Sequence, residues 1–170
     1  KLDGWKRRLL FTAILTKELG KHGIKPITVG GHAVEFYTLG GYATGDIDLI
    51  MPYDDTVNVI FAAMGFTKIG RHWQSEKLDL AVESPGSKLE SGTEKILEVR
   101  IDNLNVYIIG IEDLIIDRLN AYKWWKSLSD GECAEKLMKL HKKVIDWKYL
   151  YNQAKLKNIL DVVKKFRKKL

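Results

Sequence analysis

A chain of 170 residues, 45% hydrophobic and 29% charged, can fill a real core and suits one domain or one domain with a helical appendage. No apolar run approaches the ~18 residues that span a bilayer, and the one cysteine, Cys133, excludes an internal disulfide and a cysteine-based metal framework. The net charge of +6 is uneven: residues 135–170 hold 12 Lys and Arg against 3 acids, so an acidic body carries a basic tail. Such a tail either attracts RNA or DNA or is a solvated helix face. Lys outnumbers Arg there, and Arg is the better phosphate fork, which tilts the balance slightly toward the solvated face.

The opening Lys-Leu-Asp-Gly lacks a Met, so a processed or trimmed start is expected. The apolar stretch 9–15 is interrupted by Thr12 and runs into Lys17 and Glu18, unlike a signal peptide. Residues 5–22 have helical spacing, ended by Gly20 and Gly23. A short β-branched strand follows at 26–29 and stops at Gly30-Gly31. Two helical turns are expected over 32–39 and a strand over 46–51. A helix capped by Asp54 or Asp55 should run over 56–64.

Strands are then expected at 66–69, 71–74 and 78–82, a loop over 84–92, and a hairpin of 96–101 with 106–109. From Glu112 the pattern is helical, with breaks expected near Asp130-Gly131, Asp146 and Asn158. Trp124 and Trp125 cannot face the same way on a helix, so one is expected in the core and the other at an interface or stacking surface. The fold class expected is α+β: a mixed sheet flanked by helices over 1–110, and a helical section over 111–170 packed on it.

Three carboxylates attract attention. In a strand, residues two apart share a face, so Asp46 and Asp48 project side by side while Ile47 and Leu49 face the core. Adjacent carboxylates repel unless a cation lies between them, and magnesium takes a few hard carboxylate oxygens together with phosphate and water. Asp79 alternates away from Leu78, Leu80 and Val82. If its strand pairs beside 46–51, three acids converge, enough for two metals or for one metal and a base. The plain alternative is a strand end with solvated acids.

Glu98 alternates with Arg100 and Asp102 fits a turn, so both rank lower. Gly30-Gly31 opens a helix whose first N–H groups, about His32 and Ala33, can face a phosphate. A tight strand-to-helix turn would use the same glycines. His32 there is equally a phosphate contact or a cap. His22, His72 and His141 share no ligand spacing, which gives no zinc signature. Arg118, Lys123 and Lys126 are either surface charges or a cation for a triphosphate.

Gly30-Gly31, a short helix and Thr44-Gly45-Asp46-Ile47-Asp48-Leu49 together resemble the signature of the DNA polymerase beta-like nucleotidyltransferase superfamily. The likeness is greatest to its small prokaryotic, abortive-infection toxin members. Glu112-Asp113-Leu114-Ile115 resembles the start of their helical section. The resemblance implies a transfer of a nucleoside monophosphate from an NTP to a hydroxyl, with release of pyrophosphate. Asp46, Asp48 and Asp79 would be catalytic and would hold Mg2+ or Mn2+. Gly30, Gly31 and Thr44 would bind the nucleotide, and His32 and Lys123, from their own positions, are the further nucleotide-binding candidates.

Tyr42 stands where many toxin-like members carry an Arg, which leaves the acceptor and the nucleobase open. The expected partners are NTP, RNA through the basic helices, and an antitoxin or other protein, in the cytoplasm and without a membrane. The competing reading is a non-catalytic nucleotide- or RNA-binding regulatory module with the same fold.

Overall fold

A computed structural model describes residues 4–89 and 95–170, so the Ser91-Gly92 end of the expected loop lies outside the described residues. The chain divides into two compact units between residues 109 and 110.

The first unit opens with α1 (Gly4–Gly20), then β1 (Ile27–Thr28), α2 (Gly30–Tyr37), β2 (Asp46–Ile50) and α3 (Asp55–Ala63). Strands β3 (Thr67–Ile69), β4 (His72–Ser75), β5 (Leu80–Glu83), β6 (Leu97–Ile101) and β7 (Leu104–Ile108) follow. Among the described residues these seven strands form one sheet in the order β3-β4-β5-β2-β1-β7-β6. The sheet is mixed: β2 runs parallel to β5 and β1 parallel to β7, while the other neighbours are antiparallel.

Alternation decides which face is core. Ile47 and Leu49 of β2, Val82 of β5 and Trp73 of β4 point one way and are buried. Leu15 and Leu19 of α1 and Val57 and Phe61 of α3 belong to the same apolar cluster, with Phe61 stacked on Trp73 at 4.6 Å between ring centroids. Helix α3 begins as the sequence indicates: the Asp54 carboxylate accepts from the Val57 amide at 2.9 Å, satisfying an otherwise unpaired helix-start donor.

The second unit is helical: α4 (Ile111–Trp124), α5 (Leu128–His141), α6 (Trp147–Leu156) and α7 (Leu160–Arg167). The expected break at Asp130-Gly131 lies elsewhere. Ser127 caps α5, accepting from the Asp130 amide at 3.4 Å, and the helix continues through Gly131. A side chain at Gly131 would meet the Tyr122 ring at 2.5 Å, so this glycine serves close α4–α5 packing and not a turn. Asp146 caps α6, and Asn158, at a φ of +58°, separates α6 from α7.

The tryptophans also depart from expectation. Trp124 is 55% exposed and Trp125 82%, because α4 ends at Trp124 and both rings fall beyond its buried stripe. Cys133 is buried, and desolvation pushes its thiol up to about 11, which disfavours the thiolate at neutral pH. No helix among the described residues is long and apolar enough to cross a membrane.

Candidate metal centre

Asp46 and Asp48 share the face of β2 opposite the core, as period-two alternation requires. The parallel register sets Asp46 against Ala81 and Asp48 against Glu83 of β5. On the far side of β5, His72 of β4 pairs antiparallel with that same Glu83. A row of His72, Glu83 and Asp48 therefore crosses three strands, with Asp46 two residues along. One ligand atom each from Asp46, His72 and Glu83 lie within 4.8 Å of one another.

Asp48 is held from the other side by the start of α2. The Gly31 amide donates to its Oδ2 at 2.9 Å. Gly30 sits at a φ of +57°, a left-handed conformation that favours glycine, and a Cβ there would lie 2.8 Å from Asp48 Cγ. A Cβ on Gly31 would lie 2.8 Å from Thr44 Oγ1 and 3.6 Å from the Tyr42 ring. The two glycines thus form a cradle shaped around Asp48 and Thr44. At the helix start the Gly31 amide is occupied by the protein's own carboxylate, and the Ala33 amide, expected to face a phosphate, donates to the Val29 carbonyl at 3.1 Å.

Burial pushes the Asp48 carboxyl above the ordinary range. The Gly31 bond opposes this, while the nearby Glu83 and Asp46 charges add to it. Arg71 donates to Glu83 Oε1 at 2.7 Å, leaving Oε2 on the side of His72 Nδ1, 3.9 Å away.

Asp79 does not join this group. Strand β5 begins at Leu80, and Asp79 closes the preceding turn at a φ of +47°. Its side chain is 94% exposed and lies 3.5 Å from Arg7 Nη2 of α1. Asp79 and Glu83 have the same strand parity, so alternation alone cannot choose between them; the choice depends on where the turn ends. Glu83 is the acid that the β2–β5 register places against Asp48.

His32 is also elsewhere. It is 1% exposed and faces α1, with Nε2 3.4 Å from Thr12 Oγ1 and Nδ1 3.5 Å from Glu35 Oε2. There it belongs to a buried polar network and does not reach toward a phosphate. Thr44 stays beside the cradle, its hydroxyl donating to the Asp46 carbonyl at 3.3 Å. Lys123 belongs to the helical unit, where its ammonium bonds Asp161 and the Asn158 carbonyl, each at 2.7 Å. Glu98 lies on β6, three strands from β2. Glu83 and Arg71 carry no signal in the sequence and His72 no ligand spacing, because only strand pairing brings them together.

A divalent cation fits this donor set. Several carboxylate oxygens and an imidazole nitrogen crowd one sheet face, and the like charges raise Asp48's proton affinity. A cation would relieve that repulsion.

The chain is similar in fold, and little in sequence, to a solved structure. It matches an antigenic nucleotidyltransferase-like protein from Paracoccidioides brasiliensis with a TM-score of 0.70 at 13% identity, over 96% of this chain and 90% of that chain. The fold is nucleotidyltransferase-like. No protein-family model matches the sequence, and no curated protein does. At 13% identity the likeness speaks for the fold, and the roles of single residues rest on the geometry above.

Proposed function

We propose that the protein is a metal-dependent nucleotidyltransferase that moves a nucleoside monophosphate from an NTP to a hydroxyl acceptor and releases pyrophosphate. The observation that carries this reading is the placement of Asp46, Asp48 and Glu83 on one sheet face against the Gly30-Gly31 cradle. Asp46 and Glu83 would hold Mg2+ or Mn2+. Asp48, oriented by the Gly31 amide through Oδ2, would offer its other oxygen. A bound divalent ion supplies charge neutralisation for the phosphates and favours ionisation of the attacking hydroxyl. Gly30 and Gly31 keep the start of α2 free of side chains, so backbone can approach both Asp48 and a phosphate. Thr44 fixes the strand entry beside them.

NTP should accordingly bind only when Mg2+ or Mn2+ is present. Calorimetric titration with ATP and each other NTP checks this, and equal affinity in EDTA would contradict the metal-bridged site. Incubating labelled NTP with magnesium and total cell RNA or protein then identifies the acceptor. The toxin-like reading, with an antitoxin partner and a cytoplasmic setting, rests on the motif resemblance and would gain support from a labelled cellular acceptor.

One observation favours a second reading, a nucleotide- or RNA-binding module without turnover. Arg71 and the Gly31 amide already neutralise part of the acid set. The labelled-NTP incubation separates the two, because a module of this kind binds NTP or RNA without transfer.

RNA would dock on the basic helices. Arg167 stacks over Trp147 at 4.4 Å and lies 5.3 Å from the Tyr151 ring, joining a cation to aromatic faces of the kind that bases stack on. If Lys142, Lys143, Lys164, Lys165 and Arg167 each meet a phosphate, affinity for single-stranded RNA should fall about 100-fold between 50 and 200 mM salt. A flat salt response in a filter-binding assay would leave these helices as a solvated face.

A further inference from the structure

His72 is not one of the acids on which the proposed function rests, yet it occupies their face. It opens β4 directly across from Glu83, and its ring nitrogen is among the three donor atoms that lie within 4.8 Å of one another. A single ion with bonds of about 2.1 Å separates its neighbouring ligands by about 3 Å and its opposed ligands by about 4.2 Å. The three donors therefore need only small side-chain rotations to share one ion. Arg71, by binding Glu83 Oε1, turns Oε2 toward the His72 side of the carboxylate. Outer partners of this kind commonly orient a metal ligand.

We propose that His72 is a nitrogen ligand of the divalent cation held by Asp46 and Glu83, and that it makes this site select a transition ion, Mn2+ or Co2+, over Mg2+. The proposal rests on the reading of Asp46 and Glu83 as metal ligands. Its physical basis is the donor chemistry. Magnesium prefers an all-oxygen octahedron and keeps its waters, whereas a first-row transition ion takes an imidazole nitrogen more readily, Co2+ more so than Mn2+. Two carboxylates and one imidazole form a mixed oxygen and nitrogen set that discriminates in this direction. The antiparallel pairing of β4 with β5 places His72 beside Glu83 before any ion arrives.

The test uses metal alone, without nucleotide or turnover. Mn2+ bound to the parent chain is examined by electron spin-echo spectroscopy for modulation from a coordinated imidazole nitrogen. Affinities for Mn2+, Co2+ and Mg2+ are measured by calorimetry on the parent, His72→Ala, His72→Gln and Asp46→Asn. His72 is only half-buried, so these exchanges leave the apolar core intact.

The expected result is nitrogen modulation in the parent that disappears in both His72 variants. Co2+ and Mn2+ affinity should drop by about ten-fold or more, while Mg2+ affinity changes less than about two-fold. Parent protein that binds Mn2+ through Asp46 but shows no nitrogen modulation overturns the role of His72 and leaves the carboxylate site standing. Equal losses for Mg2+ and Co2+ in the variants overturn the selectivity. Parent protein that binds none of the three ions overturns this proposal together with the metal-dependent function.

Discussion

Gly30→Ala should abolish the stabilisation that magnesium and NTP give the protein and should lower its melting temperature without ligand. The two effects have separate causes. At a φ of +57° an alanine costs about 1–2 kcal/mol relative to glycine. Its methyl group would also lie 2.8 Å from Asp48 Cγ and 3.0 Å from Asp48 Cβ, so the whole carboxylate must move, not merely its tip. Moving it breaks the bond from the Gly31 amide and takes Asp48 out of line with Asp46 and Glu83.

In the parent, ligand at a hundred times its dissociation constant stabilises the folded state by about 2.7 kcal/mol, which for a chain of this size is a rise of roughly 5–10 °C. Thermal melts of parent and variant, each in EDTA and with magnesium plus ATP, read both effects. A variant that melts lower yet keeps the full ligand-induced rise would show that the cradle is only a turn.

Arg8→Ala should be among the most destabilising single changes in the first unit, by about 3 kcal/mol or roughly 6–12 °C. Arg8 Nε donates to Glu35 Oε2 at 3.0 Å and its Nη2 to Oε1, a two-pronged pair between α1 and α2. The Glu35 side chain is only 4% exposed. Burial alone would raise the Glu35 carboxyl, but the bonds from His32 and Arg8 outweigh it and hold it below the ordinary range. Removing Arg8 leaves a buried carboxylate with one partner fewer, which costs far more than losing a surface pair.

The sign of the pH dependence follows. Because folding depresses the Glu35 pKa, its contribution is present above the unfolded value of 4.5 and is lost as the pH falls through the folded value. The melting difference between parent and Arg8→Ala should therefore shrink in acid. An Arg8→Ala protein within 1–2 °C of the parent at neutral pH would contradict this account of the network.

The sequence was legible where local rules suffice. The alternation of Asp46-Ile47-Asp48-Leu49 places two acids on one face and two apolar residues in the core. Asp54, one of the two caps the sequence offers, caps α3. The α+β class also followed from the order of elements. Legibility failed where a local rule leaves a tie that tertiary contacts break. Asp79 and Glu83 sit four apart with apolar residues between them, and either could be the acid on the shared face. The left-handed turn at Asp79, with Arg7 beside it, decides for Glu83.

His32 shows a different failure. Its position at a helix start after two glycines suggests a phosphate contact, but the short helix turns its third residue toward Thr12 and Glu35. His72 could not be read at all from ligand spacing, because its partners come from strands β5 and β2. Lys123, by sequence either a surface charge or a cation for a triphosphate, is engaged by Asp161 and the Asn158 carbonyl.

Glu83, and not Asp79, lies with Asp46 and Asp48 on the shared sheet face. Melting Glu83→Gln and Asp79→Asn beside the parent, in EDTA and with magnesium plus ATP, tests most directly whether Glu83 acts with them. Glu83→Gln should melt close to the parent in EDTA, because losing the Arg71 pair is offset by relief of the charge that helps raise Asp48. It should lose the ligand-induced rise. Asp79→Asn gives up only an exposed pair with Arg7, worth at most about 1 kcal/mol, and should keep the full rise. The opposite pattern, with the rise lost in Asp79→Asn and kept in Glu83→Gln, would contradict the site described here.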